Sequence, residues 1–113
     1  MIALICGGRD YRNRAALEAR LDAEHASHKF THIIHGGAQG ADCLANAWAL
    51  KRGIQTVTCI ANWEHYGLGA GPLRNSRMVS LKPGIVYAFP GGKGTADMTR
   101  RAKEAGIDVI EIS

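Results

Sequence analysis

Three glycine-rich turns, each directly after a short apolar run, constrain the fold of this chain more than any other feature. They lie at 6–9 (Cys-Gly-Gly-Arg), 35–42 (His-Gly-Gly-Ala-Gln-Gly-Ala-Asp) and 89–95 (Phe-Pro-Gly-Gly-Lys-Gly-Thr). Backbone without side chains lets an anion approach closely, and the start of a following helix offers free N–H groups. The third turn therefore predicts a phosphate cradle, in which we expect Thr95 to cap the helix.

Short apolar runs alternate along the chain with segments of helical periodicity. We expect strands at 2–6, 30–34, 55–60, 85–89 and 108–112, and helices at 13–27, 41–51, 73–81 and 95–105. Residues 61–71, rich in glycine and aromatic side chains, break this rhythm and are predicted to be irregular. The alternation predicts an α/β fold in a single domain spanning 1–113. We expect a Rossmann-like, doubly wound parallel sheet of about five strands with helices on both faces.

The carboxyl ends of parallel strands share one edge of the sheet, and ligands bind there where the strand order reverses. All three glycine turns follow a strand, so we expect them to form one site. Backbone contacts with a ligand are expected at Gly7, Gly8, Gly36, Gly37, Gly40, Pro90, Gly91, Gly92 and Gly94. The alternative is that these glycines only provide the turn geometry that short loops need.

Charged and aromatic side chains beside the turns are further candidates for ligand contact. Arg9, Arg74 and Lys93 are suited to binding phosphate, with solvated surface charge as the alternative. Asp42, in the first turn of its helix, is suited either to ribose hydroxyls or to the helix dipole. Trp63 is suited either to stacking on a base or to anchoring its loop to the core.

Composition limits the classes of protein and of partner. With 46% hydrophobic and 21% charged residues the chain is ordinary for a globular domain, and no apolar run approaches the ~20 residues of a membrane span. Cys6, Cys43 and Cys59 lack the spacing of a disulfide framework or a zinc site. We therefore expect a cytoplasmic protein with no membrane association, no metal and no cofactor.

The charge of the chain bears on its ligand. The net charge of +4 favours an anionic partner, but the basic residues are scattered and form no dense block. A nucleotide-like small molecule is therefore favoured over nucleic acid.

Four segments together resemble the SLOG superfamily: 7–9, 36–42, 63–78 and 89–95. They are most similar to its small YspA-type, YpsA-related branch, and the resemblance spans nearly the whole chain. It implies a Rossmann-like sheet that binds nucleotides or their derivatives, with Asn75 and Thr95 among the contacts, and homo-oligomers are what the family suggests. Relatives include the Lonely Guy phosphoribohydrolases, which cleave the base from cytokinin nucleoside monophosphates, and the DNA-processing protein A family, which binds single-stranded DNA.

Those hydrolases pair an arginine of an Arg-Lys-x-x-Met segment with a glutamate three residues after the threonine of Pro-Gly-Gly-x-Gly-Thr. Arg74 begins a similar segment here, but Met98 stands at the glutamate position. A thioether cannot replace the carboxylate that glycosidic cleavage requires. We therefore favour a nucleotide-binding sensor, carrier or sequestering protein without turnover. An N-glycosidase using Arg74 with Asp97 or Glu64, and a single-stranded nucleic-acid binder, are the alternatives.

Overall fold

The computed structural model describes residues 1–113 and contains one five-stranded sheet. Its strands are β1 (Ile2–Cys6), β2 (His32–His35), β3 (Gln55–Thr58), β4 (Ile85–Ala88) and β5 (Asp108–Glu111). The helices are α1 (Arg14–His28), α2 (Ala41–Lys51), α3 (Trp63–Tyr66), α4 (Ala70–Ser80) and α5 (Lys93–Glu104). All neighbouring strands are parallel, in the order β3-β2-β1-β4-β5. The predicted Rossmann-like sheet is therefore confirmed.

The central strand β1 is buried on both faces of the sheet, which is why its sequence is apolar throughout. Its side chains alternate between two hydrophobic clusters, one formed with α1 and α2 and the other with α4 and α5. The first cluster includes Ile5, Leu17 and Trp48, and the second includes Leu4, Met78 and Met98. Helices thus cover both faces, as the sequence predicted. None of them has the length and apolar character needed to cross a membrane.

Local capping sets the ends of the first two helices. The side chain of Asn13 accepts a hydrogen bond of 3.1 Å from the backbone N–H of Ala16 and so caps α1, as predicted. Helix α2 ends at Lys51, and Gly53 follows with a φ of +70°, a conformation that favours glycine.

The predicted role of Thr95 as a helix cap is wrong. Helix α5 begins two residues earlier, at Lys93, with Gly92 as its N-cap and no side chain capping it. The third turn folds back closely here, because the missing Cβ of Gly91 lets its backbone lie against the Thr95 side chain. Thr95 is thus the third helical residue, and Asp97 lies in the second turn of α5 rather than the first.

The segment predicted to be irregular is mostly helical. It forms α3, a 3-10 turn at Gly67–Gly69 and the start of α4 at Ala70. Asn62 caps α3 by accepting a hydrogen bond from the N–H of His65. Pro72 is the third residue of α4, where a missing N–H costs no helical hydrogen bond. Capping and a first-turn proline outweigh the glycine content that suggested a loop.

The three glycine turns meet at Gly8, beside the point where the strand order reverses between β1 and β4. The N–H of Gly8 donates to the carbonyl oxygen of Pro90 at 2.8 Å, and its own carbonyl oxygen accepts from the N–H of Ala41 at 3.2 Å. A Cβ on Gly91 would lie 2.7 Å from the nitrogen of Gly8, and one on Gly40 would overlap the Gly8 carbonyl oxygen. Glycine is required because the turns contact each other through their backbones.

We expect Gly91→Ala to lower the free energy of unfolding by about 1–3 kcal/mol, because the added methyl group overpacks this contact. Gly92→Ala is the matched control, since a Cβ on Gly92 meets no atom within 4 Å. Its free energy of unfolding should fall less than that of Gly91→Ala, by about 1 kcal/mol or less, which is the cost of replacing glycine by alanine at an N-cap. Urea denaturation of both variants measures the difference, and equal stabilities would contradict the close contact between the turns.

Candidate functional site

A cavity of about 680 Å³ opens at the carboxyl edge of the sheet. This is the size range of small-molecule sites. We call it the first cavity, and most of the predicted site residues line it. These are Gly7, Gly8, Arg9, Asp42, Trp63, Arg74, Asn75, Gly92, Gly94, Thr95 and Asp97. The second glycine turn, through Gly36 and Gly37, lines an adjoining second cavity of about 330 Å³.

Three of the predicted contact residues line neither cavity: Gly40, Pro90 and Gly91. Gly40, with a φ of +78°, lies against the backbone of Gly8 and Arg9. The carbonyl oxygen of Pro90 accepts the hydrogen bond from Gly8. These residues hold the turns together.

The start of α5 supplies unpaired backbone donors. No side chain caps the helix, and the N–H groups of Lys93, Gly94 and Thr95 donate to no protein acceptor. All three residues line the first cavity. An N-terminus of this kind is suited to an anion, because the free N–H groups and the helix dipole both favour negative charge.

Several N–H groups of the other two turns are already used within the protein. Gly8 donates to Pro90, as described above. In the second turn the N–H groups of Gly36 and Ala38 donate to Oδ2 of Asp42, at 3.1 and 3.3 Å. Fewer free amides are therefore left in these two turns than expected, although the N–H groups of Gly7, Arg9 and Gln39 still have no protein acceptor.

Asp42 is buried and holds the second turn in place through these two hydrogen bonds. Burial raises the pKa of its carboxyl group, and the hydrogen bond from Ala38 opposes that rise. Its Oδ1 accepts no hydrogen bond from the protein, and the residue lines the first cavity. Asp42 therefore combines a structural role with a free acceptor for a ligand hydroxyl.

His35 is a supporting residue that the sequence analysis missed. Its Nδ1 accepts from the N–H of Gly37 at 3.0 Å, which places the proton on Nε2. Nε2 then donates to Oδ1 of Asn46 at 2.9 Å and lies 3.2 Å from Oγ1 of Thr58. The ring is buried and fixes the second turn to α2 and β3. Its position at the end of a strand, immediately before two glycines, was the available signal.

A chain of hydrogen bonds joins the second turn to α4 and α5. Arg74 donates from Nη1 to the carbonyl oxygen of Gly36 at 2.9 Å and from Nε to Oδ1 of Asn75 at 3.2 Å. Asn75 is buried, and its Nδ2 donates to the carbonyl oxygen of Gly94 at 3.1 Å and to Oδ2 of Asp97 at 3.0 Å. Two donors of the Arg74 guanidinium are thus fixed, while Nη2 has no partner in the protein.

The Asp97 carboxylate is held by further donors. Arg101 donates from Nε to Oδ2 at 2.8 Å, and Arg100 donates from Nη2 to Oδ1 at 2.8 Å. Partial burial tends to raise the pKa of Asp97, but the hydrogen bonds from Asn75, Arg101 and Arg100 together lower it. At neutral pH the group is ionised and has no proton to donate to a leaving group.

The other residues considered for catalysis lie apart from the first cavity or are unreactive. Met98, at the position of the hydrolase glutamate, is buried in the cluster with Leu4 and faces away from the first cavity. Glu64 lines neither cavity. Cys6 lines the first cavity, but burial, with the nearby Asp42 charge, raises the pKa of its thiol to about 12. Its thiolate is therefore scarce at neutral pH.

Trp63 lies at the rim of both cavities with 45% of its surface exposed, so it is not anchored in the core. The Arg9 guanidinium lies over its ring, 5.5 Å from the centroid. The neighbouring Leu68, which lines the first cavity, is 94% exposed and was not predicted. An apolar residue between two glycines in this segment was the only sequence signal for it.

A Rossmann-like sheet with glycine turns around one edge cavity defines a class of nucleotide-related binding folds. The family described as YspA, cpYpsA-related SLOG matches residues 1–66, and the chain belongs to that family. The chain is also similar to the Gene 61 protein of Mycobacterium phage D29. The two are 38% identical over 115 residues, which cover 95% of this chain and 92% of that protein. Family membership indicates binding of nucleotide-related ligands in general.

We expect Asp97→Asn to lower the free energy of unfolding by about 1–2 kcal/mol at pH 7, because it weakens hydrogen bonds to a charged group. The folded-state pKa is lowered, so this stabilisation is present above the unfolded-state pKa of about 3.9 and is lost as the pH falls through the folded value. Denaturant titrations at pH 7 and at acid pH measure the effect.

Asp108→Asn is the control for this variant, since Asp108 is exposed on β5 and forms no ion pair or hydrogen bond through its side chain. A stability loss for Asp97→Asn that persists undiminished in acid would contradict the assignment to carboxylate charge.

Proposed function

We propose that the protein binds a nucleotide or nucleotide-derived ligand in the first cavity, as a sensor, carrier or sequestering protein without turnover. One observation carries this proposal: the uncapped start of α5 presents the free N–H groups of Lys93, Gly94 and Thr95 to that cavity. A ligand phosphate at this point would accept hydrogen bonds from the helix N-terminus. Its base would lie toward Trp63, whose exposed ring offers a stacking surface.

The cationic side chains around the first cavity support an anionic ligand. Lys93 lies in the phosphate turn, and Arg74 presents Nη2 while its other donors are fixed by Gly36 and Asn75. A guanidinium already held in place loses little side-chain entropy on binding phosphate. Asp42 Oδ1, which has no partner in the protein, is suited to a ribose hydroxyl.

The carboxylates of the first cavity argue for binding without hydrolysis. Glycosidic cleavage ordinarily uses one carboxyl group as an acid and a second as nucleophile or base. The Asp97 carboxylate already accepts hydrogen bonds from three side chains, and the Asp42 carboxylate accepts a hydrogen bond that holds the second turn in place. Met98 supplies no replacement, because it lies in the core.

An N-glycosidase remains the second candidate, since Arg74, Asp42 and Asp97 line the same cavity. Incubation with nucleoside monophosphates and NAD, followed by chromatography for free base, tests it. We expect no free base to appear. Release of base that Asp97→Asn abolishes, and that Asp108→Asn does not, would overturn the proposal in favour of turnover.

We expect at least one of AMP, NAD, ADP-ribose and cyclic nucleotides to raise the melting temperature in a thermal-shift screen. Arg74→Ala should lower the affinity for that ligand by about tenfold or more, because it removes a charge-assisted hydrogen bond worth about 1.5–3 kcal/mol. Arg77→Ala, one turn further along α4 and exposed, is the matched control and should bind like the parent. Absence of stabilisation by every compound at millimolar concentration would contradict the proposal.

A further inference from the structure

The second cavity adjoins the first along one shared wall. Arg9, Ala38, Trp63 and Arg74 line both of them. The first cavity already contains the free N–H groups of α5, the Asp42 acceptor and a face of Trp63. The first cavity therefore offers groups suited to the phosphate, the ribose and the base of a nucleoside phosphate. The second cavity is left for another part of a larger ligand.

The shared wall carries two cations that form no close ion pair, although the Asp42 carboxyl group lies near Arg74. Neither Arg9 nor Arg74 forms an ion pair with a carboxylate, although Arg14, Arg20, Arg52, Arg100 and Arg101 all do. The Arg9 guanidinium is placed by the ring of Trp63, and that of Arg74 by Gly36 and Asn75. Two positioned guanidinium groups at the junction, neither in a close ion pair, fit a phosphate group of a ligand that reaches both cavities.

The lining of the second cavity suits an uncharged sugar or base. Its outer wall is formed by Ile60, which is 71% exposed, and by Ala61. Gln39 adds an amide that can donate and accept hydrogen bonds. No carboxylate lines this cavity, and its only charged side chains are the two arginines of the shared wall. Apolar side chains with a few polar groups are the usual lining of small-molecule sites.

We propose that the site takes a ligand in which a diphosphate joins two halves. A nucleoside occupies the first cavity and a second sugar-bearing group occupies the second. This inference rests on the proposed function and narrows its ligand class. The phosphate nearer the nucleoside binds at the start of α5, and the other binds between Arg9 and Arg74. A nucleoside monophosphate would leave both the second cavity and Arg9 without a partner.

Calorimetric titration with matched pairs of compounds tests this ligand class. The pairs are ADP with ADP-ribose, UDP with UDP-glucose and GDP with GDP-mannose, in which only the second member carries the additional group. One of the three bases should bind best. For that base, we expect the compound with the additional sugar to have a dissociation constant at least about tenfold lower than the simple diphosphate, because the added atoms contact the second cavity.

The variant Ile60→Trp fills the second cavity and should abolish this advantage while leaving the dissociation constant of the simple diphosphate unchanged. Leu50→Trp is the matched control, since Leu50 is similarly exposed on α2 and lines neither cavity. Melting temperatures of both variants verify that they are folded. Leu50→Trp should retain the full preference for the second member of the pair.

Two other outcomes are distinguishable. Equal affinity for both members of a pair, or an advantage that Ile60→Trp leaves intact, would overturn the two-part ligand while the proposed nucleotide binding stands. Absence of binding by all six compounds at millimolar concentration would overturn this inference, and the thermal-shift screen would then decide the proposed function separately.

Discussion

The structure depends on a contact between backbones at Gly8, where three loops that are far apart in the chain meet. The amide and carbonyl of this residue are bonded to Pro90 of the third turn and Ala41 after the second. Such contacts are possible only where Cβ atoms are absent, at Gly40 and Gly91. The loops consequently form one rigid rim at the switch between β1 and β4, and the first cavity lies against that rim.

Some polar groups of the rim form hydrogen bonds within the protein, and others are left without a protein partner. Asp42 and His35 accept from the N–H groups of the second turn, so that turn is fixed before any ligand arrives. The start of α5 has no such partner, and its N–H groups remain available. Lys93 and Gly94 are exposed and Thr95 is half-buried, so a ligand anion could reach these N–H groups without displacing a protein acceptor. The contacts of each glycine thus distinguish those that hold the turns together from those that can contact a ligand.

Arg74 and Asn75 connect the two kinds of turn. Their hydrogen bonds run from Gly36 to Asp97 and fix the guanidinium without neutralising it. The carboxylate at the end of this chain is stabilised as an anion by its donors, which suits a positioning role better than proton transfer. This arrangement favours recognition of phosphate over cleavage of a glycosidic bond, and it agrees with the burial of Met98.

The order of strands and helices was predictable from the sequence, because a buried β1 requires continuous apolar residues and surface helices require one apolar face. The clustering of the glycine turns followed from the shared edge of parallel strands. The helical character of 61–71 and the early start of α5 did not, since capping by Asn62 and the contact of Gly91 with Thr95 depend on local packing. The sequence by itself determined which residues gather at the edge. Only the tertiary structure decided which of their donors stay free, because that depends on the partners that distant segments bring to each N–H group.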